Sequence, residues 1–353
     1  MREKRILPPN QSALKMKVGE LRMKLSKLKK DEVIKLAAEF YKLIPKAKRI
    51  DADIDALVDH PGGGAGKVAK DNNTALSLDE IEQDVKDFLV HAREQYYLAP
   101  NRVISKRERP KWRFKVMKWH KELIKLKRAD KNLETQASLL SDLYELMCEA
   151  CGYQYFSAED PFRSIGIEQT LFYNTVLEVR EKAMGKIALV DKGIGLIMDN
   201  YLDRETLYSD LMEILIEQLN TPDLKYAAID KSKQFMKANG FKPGQREKGR
   251  FSSSMESFYV QEKHNNLTEL IFRLHVHLDE HEEAIQFFKD HHYEHGEEIK
   301  LYVLIRMLFD YREKDHIVRE LETAIENGVQ PRGNLLELLK HAREEGALPK
   351  YMH

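Results

Sequence analysis

The sequence predicts an all-α protein, and three observations support this fold class. Along most of the 353 residues, apolar side chains recur every three or four positions, which is the spacing of one helix face. Charged residues make up 33% and apolar residues 42% of the chain, a balance typical of helices packed around a core. Segments that alternate strictly between apolar and polar residues, as half-buried strands do, are scarce.

The N-terminal elements are predicted to form a helical hairpin. Its first helix is indicated by an apolar stripe at four- and three-residue steps, namely Leu14, Val18, Leu21, Leu25 and Leu28. The charged run 29–31 interrupts this stripe. A second helix then begins near Val33 and ends before Pro45, since proline cannot continue a helix.

The chain is predicted to contain two domains. Helical spacing continues near residues 77–98, 110–128, 134–150, 167–183, 187–200 and 204–219. Near residue 240 the composition changes, because GFKPGQREKGRFSSSMES is polar, rich in glycine and serine, and typical of a linker. The sequence therefore predicts an N-terminal helical bundle over residues 1–240 and a C-terminal helix-hairpin domain over residues 241–353.

The C-terminal part carries an internal repeat. An offset of 33 residues pairs Leu270 with Val303, Ile271 with Leu304, Phe272 with Ile305, Leu274 with Met307, Ala284 with Ile317, Ile285 with Val318, Phe288 with Leu321 and Arg273 with Arg306. This period is typical of helix-turn-helix repeats and predicts a short α-solenoid-like array, closed by a helix over residues 335–342. An ordinary helical bundle with a chance spacing is the alternative.

The glycine-rich stretch PGGGAGKVAKDNN, residues 61–73, has some features of a phosphate-binding loop. A P-loop reads G-x-x-x-x-G-K-[ST], whereas here Pro61 takes the first glycine position and Val68 the hydroxyl position. Proline has no N–H to donate to a phosphate, and valine cannot ligate magnesium. We therefore predict no nucleotide at residues Gly62 to Lys67 and interpret the stretch as an interhelical loop.

The most basic segment spans residues 101–128 and is a candidate for binding nucleic acid or another anionic partner. Its candidate contact residues are Arg102, Lys106, Arg107, Arg109, Lys111, Arg113, Lys115, Lys118 and Lys125. The inward stripe of the same helix is predicted to consist of Trp112, Val116, Trp119, Leu123 and Leu126. Both tryptophans are thus expected in the core, and the alternative for the cations is a solvated helix face.

Histidines cluster in the C-terminal part, which holds seven of the thirteen between residues 264 and 295. His277 and His281 lie one helical turn apart, as do His291 and His295, so each pair is a candidate zinc-binding pair. A polar helix surface is the alternative. Residues 279–298 also hold eight carboxylates, which suits docking of the basic helix or of a basic partner.

Cys148 and Cys151 form the C-x-x-C of the chain and lie in an apolar helical run. We interpret them as core thiols, since redox chemistry or zinc binding would call for a βαβ context or further ligands nearby. The N-terminus has no apolar stretch of signal-peptide length, and nowhere do 18 apolar residues follow one another. The sequence therefore predicts a cytoplasmic protein without membrane contact, and it indicates no cofactor.

Several stretches resemble an uncharacterised family of bacterial all-helical proteins. They are VGELRMKLSKLKKDEVIKLAAEFYKLIPKAK, EQYYLAP with KWRFKVMKWHKELIKL, DLYELMCEACGYQY and LVDKGIGLIMDNYLDRETLYSDLMEILIEQL, and together they span roughly residues 12–219. The resemblance implies a helical fold and transfers no catalytic residues. The tetratricopeptide-like C-terminal part lies outside it.

These observations favour a non-enzymatic protein-interaction or adaptor module that binds a protein partner through its helical surfaces. Nucleic-acid binding through residues 102–128 is the first alternative, because phosphate contacts require clustered cations. A metal-dependent enzyme built on His277, His281, His291 and His295 is the third candidate.

Overall fold

A computed structural model describes residues 18–45, 77–125, 132–240, 251–294 and 296–352. Within these ranges every regular element is a helix, and none is a strand, which confirms the all-α fold class. The chain divides into two compact units, Met1–Ala75 and Leu76–His353. The glycine-rich stretch and the predicted linker at 241–250 lie outside the described residues, as do Leu126 and His295.

The first unit contains α1 (Val18–Leu25) and α2 (Lys30–Leu43), which agree with the two helices predicted there, and their pairing as a hairpin stays a prediction. The second unit contains α3 (Leu78–Arg93), α4 (Trp112–Lys125), α5 (Leu133–Gly152), α6 (Pro161–Ile165), α7 (Gln169–Met184), α8 (Lys186–Met198), α9 (Tyr208–Gln218), α10 (Pro222–Asn239), α11 (Phe251–Val276), α12 (His281–His291), α13 (Glu297–Asp310), α14 (Lys314–Glu326) and α15 (Gly333–Glu344). A short 3-10 helix, Arg109–Lys111, precedes α4.

Local sequence signals fix several helix ends. Ser77 and Glu80 form a reciprocal capping box at α3, because the Glu80 N–H donates to the Ser77 hydroxyl and the Ser77 N–H donates to the Glu80 carboxylate. Thr221 caps α10 ahead of Pro222. Gly185 alone separates α7 from α8 and has φ of 82°, a left-handed conformation that favours glycine.

α5 lies at the centre of the first hydrophobic core and packs against α3, α4, α6 and α7. α7, α8 and α9 pack together, and α8 also contacts α10 and α11. An aromatic group between α3 and α4 fills one end of this core. Phe88 lies 5.2 Å from Trp119, and Trp112 stacks on Phe156 at 4.0 Å, both measured between ring centroids.

The C-terminal helices form a second core. α11 packs against α10 and α12, α13 packs against α14, and α14 packs against α15. At an offset of 33 residues, α12 aligns with α14 and α13 with α15, but the paired arginines differ: Arg273 is buried and Arg306 is exposed. The solenoid-like array and the domain boundary at residue 240 stay predictions.

The helices of the described residues differ from membrane-spanning helices. None of the helices found there combines the length and the apolar character needed to cross a bilayer.

Candidate interaction surface and histidine cluster

The inner face of α4 is part of the core. Trp112, Val116, Trp119 and Leu123 are all buried, which confirms their predicted inward stripe over the described residues. Both tryptophans contact other aromatic rings inside the protein. They are therefore core residues and are not available to stack on the bases of a nucleic acid.

The outer face of α4 carries large apolar side chains. Phe114 is 57% exposed, and Met117 and Ile124 are each 42% exposed. With Lys121 they follow the spacing i, i+3, i+7 and i+10, which is the seam that one helix presents to another in a coiled coil. The sequence pattern does not reveal this seam, because the stronger inward stripe dominates the periodicity of the segment.

A column of lysines runs beside this seam. Lys111, Lys118 and Lys125 recur every seven residues and are exposed. Lys111 pairs with Glu108 at 2.7 Å and Lys125 pairs with Glu122 at 3.0 Å, whereas Lys118 has no ion-pair partner among the described residues. The α4 surface is defined as Lys111, Phe114, Met117, Lys118, Lys121, Ile124 and Lys125.

The remaining predicted cations surround this surface. Arg102, Lys106, Arg107, Arg113 and Lys115 are exposed. Arg109 differs from them: it is half-buried, and its Nε donates a hydrogen bond to the carbonyl oxygen of Ile104 at 3.0 Å. Arg109 therefore holds the loop before α4 and is less available to a partner.

The predicted zinc-binding histidines have separate environments. His277 Nε2 lies 3.3 Å from Glu213 Oε2, and the His291 ring stacks on Phe287 with 4.0 Å between centroids. His281 instead lies beside Glu313 and His316, with all three ligand atoms within 4.8 Å of one another. Because His295 lies outside the described residues, the four-histidine site stays a prediction.

Glu313 and His316 were not identified from the sequence. A signal for Glu313 is present, since the 33-residue offset aligns Glu280 with Glu313, and these residues directly precede α12 and α14. Ion pairs join α12 to α14, and the tertiary structure thereby brings the first residues of the two helices together. No spacing within a single helix indicates this group.

A second polar cluster surrounds the buried Arg273 of α11. Its guanidinium donates to Glu213 Oε1 of α9 at 2.7 Å and to Glu269 Oε1 at 2.7 Å. The Tyr311 hydroxyl donates to the same Glu213 oxygen at 2.5 Å. Burial opposes the charge of Glu213, but hydrogen bonds from His277, Tyr311 and Arg273 outweigh it and lower the pKa of Glu213 to about 2.

Cys148 is buried in α5 as predicted, and Cys151 is half-buried. Burial raises the pKa of the Cys148 thiol well above its ordinary value and raises the pKa of Cys151 to about 12. Both groups are thus held as thiols, the form that is a poor nucleophile.

No protein-family model, curated protein or solved structure that was compared with the chain matches it. The resemblance of residues 12–219 to a family of bacterial helical proteins therefore stays a prediction.

Proposed function

We propose that the protein is a non-enzymatic interaction module whose α4 surface binds an acidic amphipathic helix of a partner protein. The observation that carries the proposal is the exposed seam of Phe114, Met117 and Ile124 beside the lysine column. A cytoplasmic location, expected from the sequence, is part of the same proposal.

The apolar seam favours a helical protein partner. Three large apolar side chains lie on one side of α4, and their burial against a partner would remove apolar area from water. Lys121 occupies the fourth position of the seam, where its aliphatic stem can cover apolar surface while the ammonium group reaches water. A seam spaced by three and four residues fits another helix better than it fits an extended peptide.

The lysine column indicates the charge of that partner. In a paired helix, residues beside the seam face one another, and opposite charges there select the partner. Lys111, Lys118 and Lys125 would face Asp or Glu on the partner helix. A second copy of α4 is disfavoured, because its own Arg113 would stand beside these lysines and repel them.

Photo-crosslinking from the seam tests the proposal. A photoreactive residue at position 114 is expected to capture one protein whose cross-linked segment is an acidic amphipathic helix. A peptide of that segment should bind the purified protein in a fluorescence-anisotropy titration. Phe114→Ser should weaken binding about tenfold or more, because it removes the most exposed large apolar side chain of the seam, and Lys118→Glu should weaken it most at low salt.

Matched controls lie on α7. Leu171 is 56% exposed and Lys182 is an exposed lysine, so Leu171→Ser also replaces an exposed apolar side chain by serine, and Lys182→Glu repeats the lysine change, both away from α4. Equal losses in these controls would contradict the proposal. Equal capture from positions 114 and 171, or capture of a segment without acidic residues, would also contradict it.

Nucleic-acid binding is a second candidate, favoured by the exposed Arg102, Lys106, Arg107 and Lys115 outside the seam. A nucleic acid would contact the cations of this surface and not its apolar seam. Polarisation titrations with short DNA and RNA should then respond to Lys111→Glu, Lys115→Glu and Lys118→Glu and be indifferent to Phe114→Ser. Binding that ignores these lysines, or that is lost at physiological salt, would remove this candidate.

A further inference from the structure

The group formed by His281, Glu313 and His316 lies where the first residues of two helices meet. His281 begins α12, Glu313 directly precedes α14, and His316 lies in the first turn of α14. Their side chains are half-buried, with exposed fractions of 22%, 27% and 20%. The group is independent of the α4 surface and of the function proposed for it.

The three ligand atoms converge without bonding one another. His281 Nδ1 lies 3.8 Å and His316 Nε2 lies 3.9 Å from Glu313 Oε2, which is too far for hydrogen bonds. His281 Nδ1 is moreover buried and has no hydrogen-bond partner in the described part of the chain. The His281 Nδ1 atom has thus lost its hydrogen bonds to water on burial, and the Glu313 carboxylate is too far away to replace them.

A metal ion of suitable size would supply that contact. With zinc bonds of about 2.0 to 2.2 Å, tetrahedral ligand atoms stand roughly 3.3 to 3.6 Å apart. The two distances to Glu313, 3.8 and 3.9 Å, need to contract by a few tenths of an ångström, and the distance between the two imidazole nitrogens, at most 4.8 Å, by up to about 1.5 Å. Two imidazoles and one carboxylate form a ligand set that divalent zinc accepts, with a water molecule as the fourth ligand.

The surroundings hold the ligands in place. Arg319 of α14 forms a bidentate ion pair with Glu282 of α12, at 2.5 and 2.9 Å, and Lys289 pairs with Glu320 at 2.5 Å further along the same two helices. Glu282 Oε1 also lies 3.7 Å from His316 Nδ1. Arg319 Nη2, which can only donate, lies 3.1 Å from the same His316 Nδ1 atom. When His316 Nε2 binds a metal, Nδ1 carries the proton, so Arg319 then turns away from Nδ1 and the Glu282 carboxylate accepts that proton.

We propose that His281, Glu313 and His316 bind a divalent transition metal, for which zinc is the best match. The metal would fasten the beginnings of α12 and α14 to each other. It would therefore bind the folded protein more tightly than the unfolded chain and so stabilise the fold.

The proposal is tested by titrating chelator-stripped, tag-free protein with zinc chloride at pH 7.5 against a chromophoric zinc chelator. We expect one zinc per chain. Glu313→Gln and His316→Asn should each weaken binding by about tenfold or more, since each removes one ligand. His277→Asn and Cys151→Ser are matched controls, since they remove potential ligands elsewhere and should leave zinc affinity unchanged.

Cobalt chloride provides a second readout that needs no variant. Cobalt bound by nitrogen and oxygen should give visible d–d absorption without the near-ultraviolet band of a cobalt–thiolate bond. Zinc binding weaker than about 100 μM would overturn the proposal. Unchanged affinity in Glu313→Gln and His316→Asn, loss of binding in a control variant, or a thiolate band in the wild-type protein would overturn it as well.

Discussion

His120 is a buried histidine on the inner face of α4. Its ring meets the edge of Phe172 at 4.5 Å between centroids, and its Nε2 atom is buried without a hydrogen-bond partner among the described residues. Burial lowers the pKa of His120 to about 4, because the apolar surroundings disfavour the charged imidazolium. His292, stacked on Phe288, has a pKa lowered to about 4 mainly by the same cause.

These two histidines should make the fold sensitive to mild acid. Between pH 6.5 and pH 4 the unfolded chain binds protons at these positions and the folded protein does not, so stability falls as the pH falls. Each should reduce the free energy of unfolding by about 2 kcal/mol at pH 5 relative to pH 7.5. Urea unfolding at both pH values measures the loss, and His120→Gln should diminish it. An NMR titration of the His120 ring with a midpoint near pH 6.5 would contradict this prediction.

Gly193 is the point of close contact between α8 and its neighbours. A Cβ atom there would lie 2.7 Å from Leu215 Cδ1 and 3.2 Å from Leu177 Cδ2, and both leucines are fully buried. At Gly195, two residues further along the same helix, a Cβ atom would lie 3.9 Å from its nearest neighbour, Asp199 Oδ2, which is an ordinary van der Waals contact. Alanine substitutions at the two positions therefore distinguish the effect of core packing on stability from the effect of helix propensity.

Gly193→Ala should lower the free energy of unfolding by about 1 to 3 kcal/mol, because the neighbouring leucines must shift in a close-packed core. Gly195→Ala should leave stability unchanged or raise it by up to about 1 kcal/mol, since alanine favours the helix. Urea unfolding of both variants checks the pair. A stabilised Gly193→Ala variant would show that the core around α8 adapts freely.

At the level of elements, the sequence predicts most helices but misses α6 and α10. α10 buries Leu224, Ala228, Ile229, Ser232 and Met236. Alanine and serine contribute little to an apolar pattern, so its inward stripe is weak in the sequence although the tertiary contacts bury it. The candidate metal group was missed for a different reason, because Glu313 lies 32 residues after His281 and only the tertiary structure brings them together.

In the second unit as a whole, α11 joins the two cores. It contributes Leu267, Leu270, Ile271 and Leu274 to the first core and Phe272 and Val276 to the second. Arg273 lies between these residues in the sequence, and its hydrogen bonds reach Glu213 of α9 and Tyr311, which follows α13. This one side chain therefore links helices from both sides of the predicted boundary at residue 240.

Arg273→Met should lower the free energy of unfolding by about 3 kcal/mol, since it leaves Glu213 and Glu269 without their cation. Arg306→Met is the matched control at the equivalent repeat position, and because Arg306 is exposed we expect a change within about 0.5 kcal/mol. Urea unfolding followed by circular dichroism measures both. Similar losses in the two variants would argue against a special role for the Arg273 cluster.

The spacing of the lysine column determines how replacing several of its lysines would change the affinity for a partner. Residues seven apart on a helix are separated by about 10.5 Å along its axis. This exceeds the Debye length of about 8 Å at physiological ionic strength, so Lys111, Lys118 and Lys125 are nearly screened from one another. When these lysines are replaced together, the fold losses of affinity measured for the single replacements should therefore multiply. The number of lysines whose replacement weakens binding would then indicate how much of the partner helix lies against α4.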